Sequence, residues 1–221
     1  MARRQFLARV PQTQMSSVAY LATGKRERTK VANRQAILDA ARQVFGELGY
    51  EAVTVRDIIR RTGLASGTFY NYYRSKEEVF EALADDGARR FRPILREQFE
   101  AAQDFASYLR GAVTAYFEFV ANEHDNWQSR RPAGERQPHM QVETPEMHRV
   151  FEEVRDSFAL VMERGDAPRV DADYLAASAI AIAREVGERM LERRPIDTRG
   201  AADFAVNLIL GGVNALPRLE P

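Results

Sequence analysis

The sequence predicts an all-α protein, in which an N-terminal three-helix unit with a helix-turn-helix precedes a C-terminal helical bundle. Apolar residues recur at intervals of three and four along most of the chain, the period of a helix with one buried face. Residues 54–76 contain two short helical segments around a tight turn, with helix-start and helix-stop residues in the expected places. With 221 residues, 45% of them hydrophobic, the chain is long enough to form both units.

The first predicted helix extends from about Asn33 to Leu48, and Gly49 follows as a typical stop. Residues 1–30 contain seven Lys and Arg against Glu27 alone, and Pro, Ser and Gly interrupt any helical period. We interpret this segment as a mobile basic arm. It could contact phosphates or a minor groove, or it could be a leader without function, and the sequence favours neither.

The second predicted helix begins after Thr54. Thr54 followed by Asp57 is typical of a helix start, because the hydroxyl accepts from an early backbone N–H and the carboxylate lies in the electropositive first turn. Gly63 predicts the end of this helix in a left-handed conformation. Ser66 then starts the third helix after a short turn, which completes a helix-turn-helix.

The third helix is predicted to have a buried side and a polar side. Phe69 and Tyr73 are four residues apart and are expected to face inward. The residues expected to face outward are Thr68, Tyr70, Asn71 and Tyr72. Hydroxyl and amide groups on a short exposed helix suit contacts with phosphates at the edge of a major groove. Taken singly the tyrosines would more often be core residues, but the turn, the spacing and the charge together favour DNA binding.

A fourth helix is predicted from Ser75 to about Gln103, because Ser75 and Glu78 repeat the helix-start pattern. Lys76 lies in its first turn and is a further candidate phosphate contact. Gly87 and Pro93 are expected to interrupt the helix, and the proline is expected to bend it.

The remaining two thirds of the chain predict four more helices. Their expected bounds are Asp104 to about Asn122, Thr144 to Gly165, Asp171 to about Arg194, and Asp197 to Leu216. The segment Arg130–Pro145 is rich in Pro, Gly and charge and is expected to be irregular. The predicted domains are therefore an arm at 1–30, a helix-turn-helix domain at 31–80 and a third domain at 81–221.

The net charge of zero conceals an uneven distribution. Up to Lys76 the chain has 14 Lys and Arg against 5 Asp and Glu, a net charge of +9, so the remainder carries −9. A basic first third attached to an acidic remainder is typical of a nucleic-acid-binding unit on a body that does not bind DNA. A chance distribution is the alternative.

Composition and motifs argue against catalysis. Cysteine is absent, which excludes disulfides and thiolate metal sites. No histidine is preceded by Glu three residues earlier, and neither a phosphate-binding Gly-rich loop nor a nucleophile elbow occurs. We therefore expect no enzyme activity, no metal and no cofactor. Without a membrane-spanning apolar run or a secretory signal, we expect a cytoplasmic protein that is associated with the nucleoid when bound to DNA.

Residues from about Gln35 to Phe80 closely resemble the DNA-binding domain of the tetracycline-repressor (TetR) family of transcriptional regulators. The resemblance lies in Ala-x-x-x-Phe-x-x-x-Gly-Tyr, Thr-Val-Arg-Asp-Ile, Gly-Leu-Ala-Ser-Gly-Thr-Phe-Tyr and Tyr-Arg-Ser-Lys-Glu-Glu, in the family's order and spacing. By position it implies DNA contacts at Thr54, Arg56, Ser66, Gly67, Thr68, Tyr70, Tyr72 and Lys76. Asn71 is added because of its expected outward position, and Tyr72 stands where the family often has His.

The resemblance also implies a homodimer and a small-molecule effector in the C-terminal domain. The last two predicted helices are rich in Ala and Gly and resemble the family's dimer helices, with packing inside one subunit as the alternative. The candidate cavity residues are Tyr116, Trp127, Phe151, Phe158 and Arg184. Aromatic residues at helical spacing are usually core, but an effector cavity also needs an apolar lining with few polar groups.

Together these features predict a regulator that binds a palindromic DNA operator as a dimer. By analogy with the family we expect a repressor, released when an apolar or amphipathic small molecule binds the C-terminal domain. Two alternatives are a DNA-bound regulator whose C-terminal domain recruits or is controlled by a protein, and a catalytic bundle with a DNA-binding unit. An enclosed cavity would favour the effector, and a solid body with a large exposed apolar patch would favour the recruiter.

Overall fold

The computed structural model describes residues 17–128 and 143–218, with side chains for 24–124 and 143–218. These residues form eight α-helices and no strand, which confirms the all-α prediction. The helices are α1 (Ser17–Leu48), α2 (Val55–Thr62), α3 (Ser66–Tyr70), α4 (Lys76–Ala101), α5 (Phe105–Gln128), α6 (Pro145–Glu163), α7 (Ala172–Leu191) and α8 (Thr198–Ala215). None of the described helices is long and apolar enough to cross a membrane.

An N-terminal core holds the second half of α1, α2, α3 and the start of α4 together. Ile37, Ile58, Phe69 and Val79, one from each helix, are all fully buried in it. Each comes from the apolar face that helical spacing predicts. Short helices are unstable in isolation, and the burial of these apolar faces against one another stabilises them here.

Helix α1 begins at Ser17 rather than near Asn33. Residues 17–30, expected to be part of a mobile arm, continue it as regular helix, although residues 25–32 are all exposed. Residues 1–16 lie outside the described part. The prediction missed this extension because it rested on apolar periodicity, and a helix without a buried face has none.

Helix α4 is also longer than the sequence indicates, since it continues through both Gly87 and Pro93. Proline removes one backbone donor and leaves the carbonyl four residues earlier, on Arg89, without its helical partner. Pro93 is exposed, so water can reach this carbonyl and the helix does not have to end. The predicted bend at Pro93 remains a prediction.

A C-terminal core is formed by the second half of α4 with α5 to α8. Its centre contains Phe117, Phe158, Ala176 and Ala205, each no more than 1% exposed. The helix starts predicted here are confirmed, because Thr144, Asp171 and Asp197 each accept a backbone N–H at the start of α6, α7 and α8. Helix α5 extends to Gln128, past the predicted end near Asn122, and most of the predicted irregular segment 130–145 lies outside the described residues.

Candidate functional site

The turn that leads into α2 is held by a complete capping box. Thr54 N donates to Asp57 Oδ2 at 3.0 Å, Thr54 Oγ1 donates to the same oxygen at 2.6 Å, and Asp57 N donates to Thr54 Oγ1 at 3.4 Å. The hydrogen bond from the Thr54 hydroxyl is the main reason that the pKa of Asp57 is lowered. Both donors of Thr54 are therefore engaged inside the protein, which makes Thr54 a structural residue of this turn.

The outer side of the helix-turn-helix carries most of the predicted DNA contacts, and we call it the recognition surface. Its exposed members are Arg56, Ser66, Gly67, Tyr70 and Asn71, and the Tyr70 side chain is 55% exposed. Inward packing of Phe69 and Tyr73 is confirmed, at 0% and 7% exposure. The short α3 therefore has free hydroxyl and amide groups on one side and aromatic rings on the other.

Two further predicted contacts, Thr68 and Tyr72, are only half exposed. Tyr72 packs partly against the N-terminal core, so the prediction that its whole side chain faces outward is wrong. The reason is that α3 ends at Tyr70, and the chain after Asn71 no longer follows the helical positions used for the prediction.

Lys76 is held by the protein itself. Its Nζ donates to the carbonyl oxygens of Tyr50 at 2.9 Å and Glu51 at 3.2 Å, and it lies 4.5 Å from the centre of the Tyr50 ring. An ammonium group has three donors, so one remains for a phosphate. Lys76 therefore joins the end of α1 to the start of α4 and also presents a positive charge beside the recognition surface.

A largely apolar cavity of about 380 Å³ lies inside the C-terminal core. This volume falls within the range of small-molecule pockets. Four predicted residues line it, namely Tyr116, Phe151, Phe158 and Arg184, whereas the Trp127 side chain lies outside the described residues. The sequence prediction missed the contribution of α4, whose lining residues are Ala84, Gly87, Ala88, Phe91 and Leu95. Gly87 and Ala88 follow Ala84 by three and four residues, and this spacing was an available signal, since small residues on one helix face leave space beside it.

Arg184 is the single charged residue among those that line this cavity. It is exposed and makes no ion pair within the described part of the chain. Tyr116 lies close enough to feel its charge, but removal from water dominates and raises the pKa of Tyr116 to about 12. The cavity thus has an apolar interior, and its wall contains one cation, Arg184, and two tyrosines, Tyr108 and Tyr116.

Ion pairs connect the cavity wall to the N-terminal core. Asp86 on α4 pairs with Arg42 on α1, and it also accepts from Arg90 Nε at 3.1 Å. Arg90 in turn forms two hydrogen bonds of 2.9 and 2.8 Å with Glu123 on α5. Since Asp86 and Arg90 flank the lining residues Gly87 and Ala88, a shift of α4 at the cavity also moves the partner of Arg42.

The other side of α4 is paired with α6. Arg92 Nη1 lies 2.8 Å from Glu146 Oε2, and Arg92 also pairs with Glu153, which accepts from Arg96 as well. These contacts fix α4 to a second helix of the cavity wall. Helix α4 is consequently held from both sides by charged groups while its small residues face the cavity.

Helices α7 and α8 expose several large apolar side chains. Tyr174 is 74% exposed, Phe204 is 62% exposed and Leu208 is 51% exposed. Large apolar residues grouped on a surface usually mark a site of association.

Comparison with known proteins agrees with this geometry. A model of the bacterial regulatory proteins of the tetR family matches residues 37–83. The HTH-type transcriptional activator FasR of Mycolicibacterium smegmatis is 27% identical over 187 residues, which are 83% of this chain and 84% of FasR. Residues 37–83 thus match the TetR family, and the similarity to FasR extends over most of the chain. The protein is a DNA-binding transcriptional regulator and not an enzyme, as the sequence predicts.

Two solved structures share the fold. The fatty acid degradation regulator FadR of Bacillus halodurans superposes with a TM-score of 0.67 at 24% identity, covering 82% of this chain and 96% of FadR. RolR, solved in complex with its ligand resorcinol, superposes with a TM-score of 0.61 at 18% identity, covering 85% of this chain and 90% of RolR. Ligand binding is therefore compatible with this TetR-family architecture.

The raised pKa of Tyr116 predicts how the stability of the protein changes in alkali. The unfolded tyrosine releases its proton near pH 10, whereas Tyr116 in the folded protein holds it to about pH 12. Stability from this group is complete below pH 10 and is lost as the pH rises towards 12, with a slope of up to about 1.4 kcal/mol per pH unit. We expect Tyr116→Phe to reduce the decline in urea-unfolding free energy over this window. The pKa of Tyr50 is also raised to about 12, so Tyr50 adds to the loss of stability in the wild type and in Tyr116→Phe alike. Equal declines in the unfolding free energies of the wild type and the variant would contradict the prediction for Tyr116.

Proposed function

We propose that this TetR-family protein is a homodimeric repressor that leaves a palindromic operator when an amphipathic small molecule with an acidic head enters its cavity. One observation carries the proposal. Helix α4 lines the apolar cavity through Gly87 and Ala88 and, through the neighbouring Asp86, is ion-paired to Arg42 in the N-terminal core. Ligand binding and DNA binding thus share one helix.

The DNA-binding part of the proposal rests on the recognition surface. We assign phosphate or base contacts to Arg56, Ser66, Tyr70 and Asn71, which are exposed, and close backbone approach to Gly67. We assign further contacts to the half-exposed Thr68 and Tyr72 and to Lys76, while Thr54 acts mainly through the capping box. A short α3 presented in this way suits the major groove.

The ligand class follows from the chemistry of the cavity. Its lining is almost entirely apolar, which favours an extended hydrocarbon group, because desolvated polar groups would find no partners there. Arg184 provides one cation at the wall, which favours a carboxylate or another anion at one end of the ligand. The name of FadR, a fatty acid degradation regulator, supports a ligand of this kind.

The proposed dimer uses the exposed apolar residues of α7 and α8. Tyr174, Phe204 and Leu208 would be buried if these helices packed against their copies in a second subunit as a four-helix bundle. Two-fold symmetry places two recognition surfaces on one face, as a palindrome with half-sites about 34 Å apart requires. This use of the apolar surface, together with the cavity, favours an effector over a recruited protein as the regulatory partner.

The proposed mechanism is a change in the separation of the two recognition surfaces. A ligand that fits best when α4 is displaced stabilises a dimer whose surfaces no longer match successive major grooves. Thermodynamic linkage makes the two effects equal: the ligand lowers operator affinity by the same factor as the operator lowers ligand affinity. FasR is named an activator, so the experiment has to distinguish a ligand that releases the protein from its operator from a ligand that tightens operator binding.

The proposal is tested with operators selected by the wild-type protein from random duplexes. Straight-chain carboxylic acids of increasing length should bind the protein and release the selected operator, whereas the corresponding alcohols should act more weakly. Arg184→Gln should reduce affinity for the acids by about 10- to 100-fold and leave affinity for the alcohols unchanged. Ala183→Phe, which places a ring in the cavity from α7, should weaken both series.

Three outcomes would contradict parts of the proposal separately. Failure of the wild-type protein to select any duplex would contradict the DNA-binding assignment. Binding of the acids without a change in operator affinity, or with an increase, would contradict repression by release. Equal loss of acids and alcohols in Arg184→Gln would contradict the role of Arg184 as the partner of the acidic head.

A further inference from the structure

A basic stretch of α1 lies outside the N-terminal core, and we call residues 25–30 the basic segment. It contains Lys25, Arg26, Arg28 and Lys30 with Glu27 as the one acidic residue, and every side chain in it is exposed. Within the part of the chain that the structure describes, none of the four cations forms an ion pair. The segment therefore presents three net positive charges on a rigid helix.

The basic segment faces the end of the recognition helix. Lys25, Arg26, Glu27 and Lys30 line an open cleft together with Asn71 and Tyr72, which directly follow α3. Thr29 also lines the cleft, and its hydroxyl donates to the Lys25 carbonyl at 3.0 Å, inside the helix. Because Asn71 belongs to both, the cleft adjoins the recognition surface, and its three cations and Glu27 add a net charge of +2 beside the hydroxyl and amide groups.

The arrangement of these charges is unfavourable for the free protein. Lys25 and Arg28 are three residues apart and Arg26 and Lys30 are four apart, so each pair of like charges lies on one helix face, where it destabilises an isolated helix. No apolar contact compensates, because residues 25–32 are all exposed. A helix that is polar on all sides needs some other stabilising partner, and a polyanion would remove the repulsion.

We propose that this cleft is a second DNA-binding site, in which Lys25, Arg26 and Lys30 bind phosphates of the strand that flanks the base pairs under α3. The inference rests on the proposed entry of α3 into the major groove. Asn71 and Tyr72 connect the two sites, because both belong to the recognition helix region and to the cleft wall. The contacts are to the backbone, so they extend the length of duplex that each subunit covers and add affinity without sequence preference.

The spacing of the cations in the cleft suits duplex DNA. Arg26 and Lys30 are one helical turn apart, about 6 Å along the axis, so the segment offers a row of cations and not a single pocket. A row of this kind suits the repeated charges of a phosphate backbone. Because the row begins where α3 ends, DNA bound by α3 passes it directly.

The test compares two triple variants that lose the same charge. Lys25→Gln/Arg26→Gln/Lys30→Gln removes the cations of the cleft, and Arg164→Gln/Arg169→Gln/Arg218→Gln removes three exposed arginines around the connection from α6 to α7 and the end of α8. Affinity for the selected operator is measured over a range of salt concentrations. The cleft variant should show a salt slope shallower by about 0.9 for each lost phosphate contact, up to about 3 per subunit, while the control keeps the wild-type slope.

A second measurement locates the contact along the duplex. Operators shortened to end beneath α3 should bind the wild-type protein and the cleft variant equally, because the flanking phosphates are missing. Lys25→Arg/Lys30→Arg should keep the wild-type slope on the full operator. A cleft variant with an unchanged slope, or with the same loss on short and long operators, would overturn the second site while leaving the proposed function intact. Absence of operator binding by the wild-type protein would instead overturn the proposed function.

Discussion

Gly67→Leu is expected to lose operator affinity by about a thousandfold or more, to the level of non-specific binding, while its stability stays close to that of the wild type. Gly67 is the second residue of α3, and a Cβ at this position would meet no other atom within 4 Å. Its φ also lies outside the left-handed region. Nothing inside the described structure therefore requires glycine at this position.

When neither packing nor backbone conformation requires a glycine in a helix, a molecule that approaches this position from outside the protein can explain it. Glycine lowers helix stability relative to alanine, by up to about 1 kcal/mol in a helix interior, so Gly67→Ala should leave stability unchanged or raise it slightly. The proposed partner is the DNA backbone, which approaches the start of α3 closely when this helix enters the major groove. A leucine side chain at this place would keep the helix out of the groove in both subunits.

Binding and stability should therefore change independently at Gly67. Affinities for the selected operator and for a scrambled duplex are compared with urea-unfolding free energies for the wild type, Gly67→Ala and Gly67→Leu. Gly63→Ala serves as the control, because Gly63 has a φ of 67° and its replacement should lower stability through backbone strain. Full operator affinity in Gly67→Leu would show that the start of α3 does not approach DNA.

The local features of the helix-turn-helix were predictable from the sequence. The cap at Thr54, the stop at Gly63 and the inward positions of Phe69 and Tyr73 depend on neighbouring residues and on one helical period, and the structure confirms all of them. The partial burial of the Tyr72 side chain was not predictable in this way. Its burial depends on where α3 ends, which is decided by packing against the rest of the N-terminal core.

The features that sequence reasoning missed involve residues far apart in the chain. Lys76 was expected to be free for DNA, but its Nζ is bonded to carbonyl groups about 25 residues earlier, which no local pattern indicates. Aromatic residues drew attention to α5 and α6 as cavity walls, yet Gly87 and Ala88 on α4 leave much of the space. The sequence predicts that Gly87 interrupts α4, because the packing of this residue against the cavity is visible only in three dimensions.

The pairing of Arg42 with Asp86 is a contact of the same long-range kind, and it has the strongest consequence for regulation. It joins α1 in the N-terminal core to α4 beside the cavity. If the ligand acts on DNA binding by displacing α4, this contact is a route by which the displacement reaches the helix-turn-helix. Asp86 also keeps Arg90 as a partner, so removal of Arg42 leaves no unpaired carboxylate in the interior.

We expect Arg42→Leu to bind both ligand and operator but to lose most of the coupling between them. Allosteric coupling of about 1–3 kcal/mol corresponds to a 5- to 150-fold effect of ligand on operator affinity, and this factor should approach one in the variant. The leucine keeps part of the apolar stem in contact with its neighbours, so the loss of stability should be limited to about 1–3 kcal/mol from the lost charged hydrogen bond. Ligand affinity without DNA, measured by calorimetry, should be unchanged.

Arg96→Leu is the matched control for this variant. It removes another arginine from an ion pair of α4, but the pair is with Glu153 on α6, which retains Arg92 as a partner. Both variants therefore remove an arginine from a carboxylate that keeps a second arginine. Only Arg42→Leu, which also breaks the pair with Asp39 on α1, removes a contact between α4 and α1. If both variants lost coupling equally, the position of α4 in the C-terminal core would control DNA affinity. If neither lost it, the displacement would have to reach the helix-turn-helix through the backbone of α4 itself.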